Sequence, residues 1–198
     1  MTGDETSRGA RANPMRRHDR AQSDEWIRAF LHSGSWGALA TIADGQPFIN
    51  TNLYVYDEEN GAIYLHTARS GRTRTNLEGG APVCFSVSEM GRILPTDTAL
   101  DFSVEYAGVT VFGRGAVVEE DEEKFRALQL LMDKYAPQLE PNRDYRPPNQ
   151  AELDRTSVYR IEIESWSGKM NRKAADFPGA YDYEDQRRPS PFAADGSG

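Results

Sequence analysis

The stretch Ala62-Ile-Tyr-Leu-His-Thr-Ala-Arg-Ser-Gly-Arg-Thr-Arg-Thr-Asn76 carries the signal that decides the fold. Its first part, 62–67, is rich in residues that favour strands and predicts one. The residues that follow, 70–77, predict a short helix or helical turn, which Gly79-Gly80 closes. Because free backbone N–H groups at the start of a helix favour anions, this junction is also the first candidate ligand site.

The same stretch concentrates positive charge and hydroxyl groups in an acidic chain. The residues concerned are Arg69, Arg72 and Arg74, with Thr67, Ser70, Thr73 and Thr75. Guanidinium groups and hydroxyls together supply the charge-assisted hydrogen bonds that a phosphate monoester needs. The alternative is a solvated basic turn that pairs with nearby acids such as Glu78. His66 ends the predicted strand beside this cluster, where a structural and a chemical role both stay open.

Outward from this stretch, the pattern is mostly that of short strands joined by hairpins, with helices grouped at the ends. Ser23 predicts the N-cap of a first helix, and a later helix begins after Asp121 and ends at Pro137. The stretch 91–101 has no clear period and predicts a loop insertion. The predicted strands are 37–43, 48–56, 62–67, 82–88, 104–118 (one bent strand, or two around a bulge) and 157–165. About six such strands predict an α+β, mainly β fold built as a closed antiparallel barrel.

The second predicted strand alternates between two kinds of side chain. One face suits a barrel interior and consists of Ile49, Thr51, Leu53 and Val55. The other is a row of amides and aromatic rings, consisting of Phe48, Asn50, Asn52, Tyr54 and Tyr56. Such a row could hydrogen-bond the edge of a flat heterocycle and stack against it. A half-wet outer sheet face and a Tyr-rich dimer interface are the alternatives.

The last predicted strand has an apolar face and a charged face. Strict alternation places Tyr159, Ile161 and Ile163 on the first face. It places Arg160, Glu162, Glu164 and Trp166 on the second. Trp166, followed by Ser167-Gly168-Lys169, could cover a ligand at a subunit interface, and packing on its own chain is the alternative.

Composition limits the class of protein. The chain has 198 residues and a formal net charge of −8, which argues against general nucleic-acid or anionic-membrane binding. The single cysteine, Cys84, excludes an internal disulfide framework and a Cys-based zinc site, and the histidines show no metal-ligand spacing. No apolar run spans a bilayer or serves as a signal sequence, so we expect a cytoplasmic protein. Residues 1–14 and 176–198 are predicted as mostly disordered tails, and 15–175 as the domain.

Several motifs, in order, resemble the pyridoxamine 5′-phosphate oxidase-like, FMN-binding split-barrel proteins, nearest the nitroimidazole-resistance (Nim) and flavin-nucleotide-binding branch. Each motif is short, and their order and spacing make the set specific. They are Met15-Arg-Arg-His-Asp-Arg20, Tyr54-Val-Tyr-Asp57, Ile63-Tyr-Leu-His-Thr-Ala68, Gly71-Arg72 with Asn76-Leu77, Val83-Cys-Phe85, Val111-Phe-Gly-Arg114 and Trp166-Ser-Gly-Lys169.

The resemblance implies a six-stranded split barrel that forms a homodimer, with FMN held at the subunit interface. It places Arg72, Thr73 and Asn76 near the phosphate, with Arg69, Ser70 and Arg74 as neighbours. It places the flavin ring and ribityl chain near Thr41, Asn50, Asn52, His66, Thr67 and Ala68, and brings Trp166 and Lys169 from the partner subunit. In this branch the residue equivalent to His66 is the proposed reactive side chain.

The resemblance leaves three functions open. The first is an FMN-dependent oxidoreductase that acts on a small aromatic or nitroaromatic compound. The second is a deazaflavin- or haem-binding split barrel, with His66 or His18 as a candidate axial ligand. The third is a flavin-binding module without enzymatic activity. One departure concerns the phosphate site: the branch often has Gly-Arg-Lys where this chain has Gly71-Arg72-Thr73, so Arg69 or Arg74 would have to supply the missing cation.

Overall fold

The computed structural model describes residues 15–183, so the predicted tail at 1–14 and the part of the predicted tail 176–198 from residue 184 onward lie outside these residues. Its strands are β1 (Gly37–Ala43), β2 (Gln46–Asn52), β3 (Val55–Asp57), β4 (Ala62–Ala68), β5 (Ala81–Leu94), β6 (Ser103–Val117) and β7 (Thr156–Asn171). Its helices are α1 (Asp24–Ser33), α2 (Arg72–Leu77), α3 (Asp121–Tyr135) and α4 (Gln150–Leu153), with 3-10 turns at His18–Arg20 and Ala99–Asp101.

All seven strands form one antiparallel sheet in the order β2-β1-β5-β6-β7-β4-β3. The edge strands β2 and β3 follow each other in the chain but do not pair, so the sheet curls without closing. This confirms the α+β, mainly β split-barrel fold and corrects the closed barrel that the strand pattern alone predicted. Seven strands replace the predicted six because the second predicted strand divides at Leu53 and Tyr54.

The faces of β2 are the reverse of the prediction. Ile49 and Leu53 are 65% and 50% exposed, whereas Asn50 is partly buried. Asn50 lies opposite Leu39 of β1, which is buried. Alternation shows which residues share a face, but hydrophobicity could not show which face points inward, because the outer face of β2 is itself apolar.

The predicted loop insertion at 91–101 is partly wrong. β5 continues to Leu94, which pairs with Ser103 of β6 after a register shift between Met90 and Ile93. This irregularity breaks the period-two pattern, which is why the sequence showed no strand there. Ile93 also exchanges backbone hydrogen bonds with Tyr181, so the segment after β7 returns to the end of β5.

A bulge in β7 explains a second wrong assignment of faces. Phe112 pairs with Ser165 and the next residue, Gly113, pairs with Ile163, so Glu164 is an extra residue. Trp166 therefore packs with the core, on the side of Ile163, and not with Arg160, Glu162 and Glu164 as strict alternation predicted.

The sheet is packed on both faces. The inner cluster combines the sheet with Ile27, Phe30 and Leu31 of α1, whose N-cap Ser23 accepts a hydrogen bond from the Trp26 amide, as predicted. A second cluster lies between α3 and the outer side of β3, β4 and β7. Together these clusters give rigid support to the ends of the strands, where the candidate site residues lie.

Candidate functional site

Two side-chain hydrogen bonds attach α2 to the sheet. Asn50 Nδ2 donates to Thr73 Oγ1 at 2.9 Å, and Asn76 Nδ2 donates to Thr41 Oγ1 at 2.7 Å. Thr41, Thr73 and Asn76 are buried, so each bond forms away from water. The structure thus brings together four predicted site residues, which with Arg72 we call the α2 cluster.

Glycine permits the turn that begins α2. Gly71 has φ +145°, a conformation that side chains rarely adopt, and a Cβ built there meets no atom within 4 Å. The backbone therefore leaves open space in front of the helix. Gly79 and Gly80 have φ of +78° and +79° beyond the C-terminus and close the helix, as predicted.

The three arginines of this region differ in how their charges are used. Arg74 pairs with Glu78 at 3.2 Å and Glu119 at 3.8 Å, and also donates to Ser157 Oγ. Arg72 lies over the Phe48 ring, 5.2 Å from its centroid. Within residues 15–183 Arg72 pairs with no carboxylate.

Arg69 is the other arginine whose charge is not balanced by an acid. Its guanidinium donates to the carbonyl oxygen of Asp154 at 2.6 Å, and in the described part of the chain it forms no ion pair. Its own carbonyl oxygen accepts from Ser157 Oγ at 3.3 Å. The loop before α2 is therefore fixed in place, while the charge of Arg69 stays uncompensated beside exposed Ser70.

His66 and Thr67 point to opposite faces of β4. Thr67 Oγ1 is 2.8 Å from the hydroxyl of buried Tyr159. His66 lies on the same face as Tyr64, whose hydroxyl donates to Glu123 of α3 at 2.6 Å. Burial lowers the pKa of His66 below 6.5, although its side chain still reaches solvent. His66 therefore lies on the side of the sheet that α3 covers, opposite to Thr67, and the structure does not bring these two predicted site residues together. Ala68, the next site residue, is exposed.

Asn52 has a buried donor without a partner. Its Nδ2 atom finds no acceptor among the described residues. Asn52 follows Asn50 on the same face of β2, so the predicted row of amides lies on the inner side, the face that the sequence pattern had assigned to Ile49 and its neighbours. One amide of the row is engaged with Thr73, and the other is free to donate.

Trp166 and Lys169 lie far from the α2 cluster within one chain. Trp166 donates from Nε1 to Asp24 at 2.8 Å and lies beneath the Arg28 guanidinium. Nine positions separate it from Ser157 on the same strand, which is roughly 30 Å. Lys169 lies further still and points away from α1, because its neighbour Gly168 packs on Ile27.

Two groups that the sequence did not single out also belong to this description. The sequence placed Tyr159 on the apolar face of the last strand without a role at the site, yet its hydroxyl lies within hydrogen-bond distance of Thr67 Oγ1. Lys134 of α3 has a buried ammonium 3.8 Å from the Tyr54 ring centroid and no hydrogen-bond partner among the described residues. Desolvation lowers the pKa of Lys134 to about 8. No local sequence signal identifies either residue, because each contact joins distant segments.

Within residues 15–183, no helix is long and apolar enough to cross a membrane. The same residues hold no group of three or more His, Cys, Asp or Glu side chains that could bind a metal ion.

Solved structures share this fold. A flavocytochrome, Anf3, from Azotobacter vinelandii is 22% identical with TM-score 0.70, over 89% of this chain and 79% of its own. An FAD and heme binding protein from Mycobacterium smegmatis is 20% identical with TM-score 0.70, over 90% and 93%. A protein described as a 5-nitroimidazole antibiotic resistance protein, from Bacteroides thetaiotaomicron, is 18% identical with TM-score 0.61, over 75% and 84%. At these identities the likeness shows the fold.

Sequence comparison shows the family. No curated protein matches the chain. The profile of the pyridoxamine 5′-phosphate oxidase family matches residues 23–170, which include every residue predicted to bind FMN. This match covers well over half of the sequence, and the split sheet agrees with it. The chain therefore belongs to the pyridoxamine 5′-phosphate oxidase family.

Proposed function

We propose that this protein binds a flavin, FMN, with the phosphate at the α2 cluster. The proposal rests on one observation: the three arginines of this region differ in whether a carboxylate balances their charge. Arg72 and Arg69 flank the open turn at Gly71 with uncompensated charges, whereas Arg74 is neutralised by two acids. We therefore assign the phosphate cations to Arg72 and Arg69, and the second of these replaces the cation missing at Thr73.

The residues present fit such a cofactor. The site combines two guanidinium groups that have no carboxylate partner among residues 15–183, the exposed hydroxyl of Ser70 and space in front of Gly71, which suits a phosphate monoester. The unpartnered amide of Asn52 on the inner face can donate to a carbonyl oxygen of a heterocycle. Titrations that compare FMN with FAD test the choice of nucleotide.

We propose that the reaction is an oxidation or reduction of a small aromatic or nitroaromatic compound. The flavin supplies the redox chemistry when bound, and the protein supplies position and electrostatics. His66 holds the proton that a reduced substrate takes up. Because its pKa lies below 6.5, this donor is charged mainly in acid solution.

We propose that two copies of the chain share the cofactor. The outer face of β1, β2, β5 and β6 carries exposed apolar side chains, including Ile42 (63%), Ile49 (65%) and Phe112 (45%). Ile49, Ala40, Cys84 and Phe112 lie side by side across the four strands. A second copy packed on this face buries them, and it brings its own Trp166 and Lys169 from the far end of β7.

The first experiment is an absorbance spectrum of the purified protein, with mass analysis of what heat releases. A flavin spectrum with FMN in the supernatant is the expected result. A flavin spectrum with FAD in the supernatant would identify FAD as the bound nucleotide. A Soret band would favour haem. Colourless protein that does not take up added FMN would overturn the proposal.

A pair of variants tests the phosphate site. Arg72→Met should weaken FMN binding by about tenfold or more, since it removes a charge-assisted hydrogen bond. Arg16→Met, at an exposed arginine of the N-terminal segment, is the matched control and should bind normally. Equal affinity for FMN in both variants would mean that Arg72 does not bind the phosphate. If nicotinamide nucleotides reduce the bound flavin too slowly to support turnover, the protein is a flavin-binding module and not an enzyme.

A further inference from the structure

The outer face of β5, β6 and β7 carries two adjacent rows of paired residues. Residues paired across antiparallel strands, and residues two apart along one strand, share a face of the sheet. Gly168 packs on Ile27 of α1, so its neighbour Lys169 lies on the outer face. The register therefore places two rows on that face: Met90, Tyr106 and Asn171, and beside them Ser88, Gly108 and Lys169.

The second row has an opening at its middle position, Gly108. A Cβ built there has the carbonyl oxygen of Val87 as its nearest atom, at 3.3 Å, so the backbone of β6 is bare on this face. The side chains of Ser88 and Lys169 flank the opening from strands about 10 Å apart. A glycine in a strand permits close approach of a ligand, and a flat aromatic ring fits here. Met90, which is 54% exposed, borders the opening and offers an adaptable apolar contact.

One side of this opening holds two positive charges and a hydroxyl donor. Arg20 Nη1 donates to the Tyr106 hydroxyl oxygen at 2.9 Å, and its guanidinium lies 5.6 Å from the ring centroid. Because the hydroxyl accepts this bond, its own hydrogen is left to donate, and it has no acceptor among residues 15–183. Lys169 is the diagonal neighbour of Tyr106, about 7–8 Å away, and its bridge to Ala21 brings Arg20 beside it.

The two positive charges are not balanced by acids. Within the part of the chain that the structure describes, Arg20 and Lys169 take part in no ion pair. Asp19 precedes Arg20, but both of its carboxylate oxygens accept from Arg17, at 2.8 and 2.7 Å. Two cations and a hydroxyl donor beside a bare patch of backbone suit a carboxylate attached to an aromatic ring.

We propose that this opening, the Gly108 site, binds the carboxylate-bearing end of an aromatic substrate. The ring lies on Gly108 beside Met90, and the carboxylate accepts hydrogen bonds from Arg20, Tyr106 and Lys169. In the proposed dimer the second copy brings Lys169 to the cofactor, so the role as a substrate site rests on the proposed function. The proposal narrows the substrate class from small aromatic compounds to aromatic acids.

Calorimetric titration with three nitroaromatic probes tests the Gly108 site. The probes are 4-nitrobenzoate, which is an anion, neutral nitrobenzene and cationic 4-nitrobenzylamine. We expect 4-nitrobenzoate to bind the purified full chain at least tenfold more tightly than nitrobenzene, and 4-nitrobenzylamine to bind most weakly. Equal affinity for 4-nitrobenzoate and nitrobenzene, or no binding of 4-nitrobenzoate, would overturn the proposal.

The same titrations separate the Gly108 site from the cofactor site. They are carried out on the chain as purified and again after removal and return of FMN, and the preference for the acid should be present each time. A chain that binds 4-nitrobenzoate but not FMN would contradict the proposed function and leave the anion site in place. A chain that binds FMN without preferring the acid would contradict the Gly108 site alone.

Charge and hydroxyl variants assign the donors. Arg20→Met should weaken the binding of 4-nitrobenzoate about tenfold or more and leave nitrobenzene within about twofold. Tyr106→Phe keeps the ring and should weaken binding of the acid severalfold. Arg172→Met is the matched control, because Arg172 follows Asn171 and lies on the other face of the sheet, and it should bind within about twofold of the parent. Equal losses in Arg20→Met and Arg172→Met would mean that net charge alone attracts the acid, which would contradict the assignment.

Methionine methyl spectra locate the ligand on one face of the sheet. With labelled methionine, the signal of Met90 should shift on titration with 4-nitrobenzoate. The signal of Met170, which pairs with Ala107 on the inner face, should not shift, and neither should that of Met132 in α3. Shifts confined to Met170 or Met132 would overturn the proposal even if the affinity were as expected.

Discussion

At the scale of the residue, amide–hydroxyl pairs determine how firmly α2 sits on the sheet. Asn76→Ala removes the donor to Thr41 and leaves that buried hydroxyl without its partner. We expect a loss of about 1–3 kcal/mol in the free energy of unfolding, measured in urea, and weaker FMN binding. Thr75→Ala, at an exposed position of the same helix, should change neither. Stability unchanged in Asn76→Ala would mean that the pair is dispensable.

His66 gives a prediction about pH. Its pKa lies below 6.5, so a role as proton donor makes turnover rise as pH falls through that pKa. The ratio of parent to His66→Ala turnover should therefore increase toward acid pH, with FMN affinity within severalfold in the variant. If the ratio of the two turnover rates did not depend on pH, His66 would not be the proton donor.

Lys134 gives a prediction about stability. Its pKa is about 8 in the folded chain and about 10.5 when unfolded. Between these values the unfolded chain binds more protons, so stability rises with pH and the burial penalty is present in full below pH 8. Lys134→Met should therefore raise Tm at pH 7, and the difference should shrink toward pH 10. A lower Tm at pH 7 would mean that contact with the Tyr54 ring outweighs desolvation.

At this scale the sequence predicted which groups are present but not how they are used. The resemblance placed Thr73 and Asn76 near a phosphate and Asn50 near the flavin ring. It could not show that Thr73 is buried as an acceptor, or that Arg74 is neutralised by Glu119, since both contacts join segments distant in the chain. Such pairings depend on the fold itself.

At the scale of the element, β6 and β7 approach each other so closely that one position tolerates only glycine. A Cβ at Gly113 would lie 2.0 Å from the carbonyl oxygen of Glu162. Gly113→Ala should therefore lower the free energy of unfolding by about 1–3 kcal/mol or more. Gly108→Ala on the same strand, where the nearest atom is 3.3 Å away, should lower it less. Equal effects in thermal melts would contradict this reading.

Elements with a regular period were predictable, and irregular ones were not. The bounds of β1 match the prediction, because Gly37 and the Asp44-Gly45 turn mark both ends. β5 and β7 extend beyond their predicted ends because a register shift in each hides the continued strand. A bulge adds one residue without any composition signal of its own.

At the scale of the whole molecule, the apolar outer face predicts the oligomeric state. Ile49→Asp places a charge in the centre of the proposed interface, where burial is costly. We expect sedimentation to show a dimer for the parent chain and a monomer for the variant, with loss of bound flavin. Glu59→Asp, on an exposed turn, should remain dimeric. A parent chain that sediments as a monomer would contradict the shared cofactor.

The extra residue in β7 has a consequence for how relatives of this protein can diverge. Ile163 and Ser165 pair with neighbouring residues of β6 and so face opposite sides of the sheet, which means that deleting Glu164 would give a regular strand with Gly168 still facing α1. A single-residue gap at this position removes the bulge and leaves every later side chain on its present face, whereas a gap elsewhere in the strand turns the later side chains over. Lineages that keep this architecture should therefore tolerate a gap at position 164 and not further along the strand, and alignments should be anchored on Gly113 and Gly168 to reflect this.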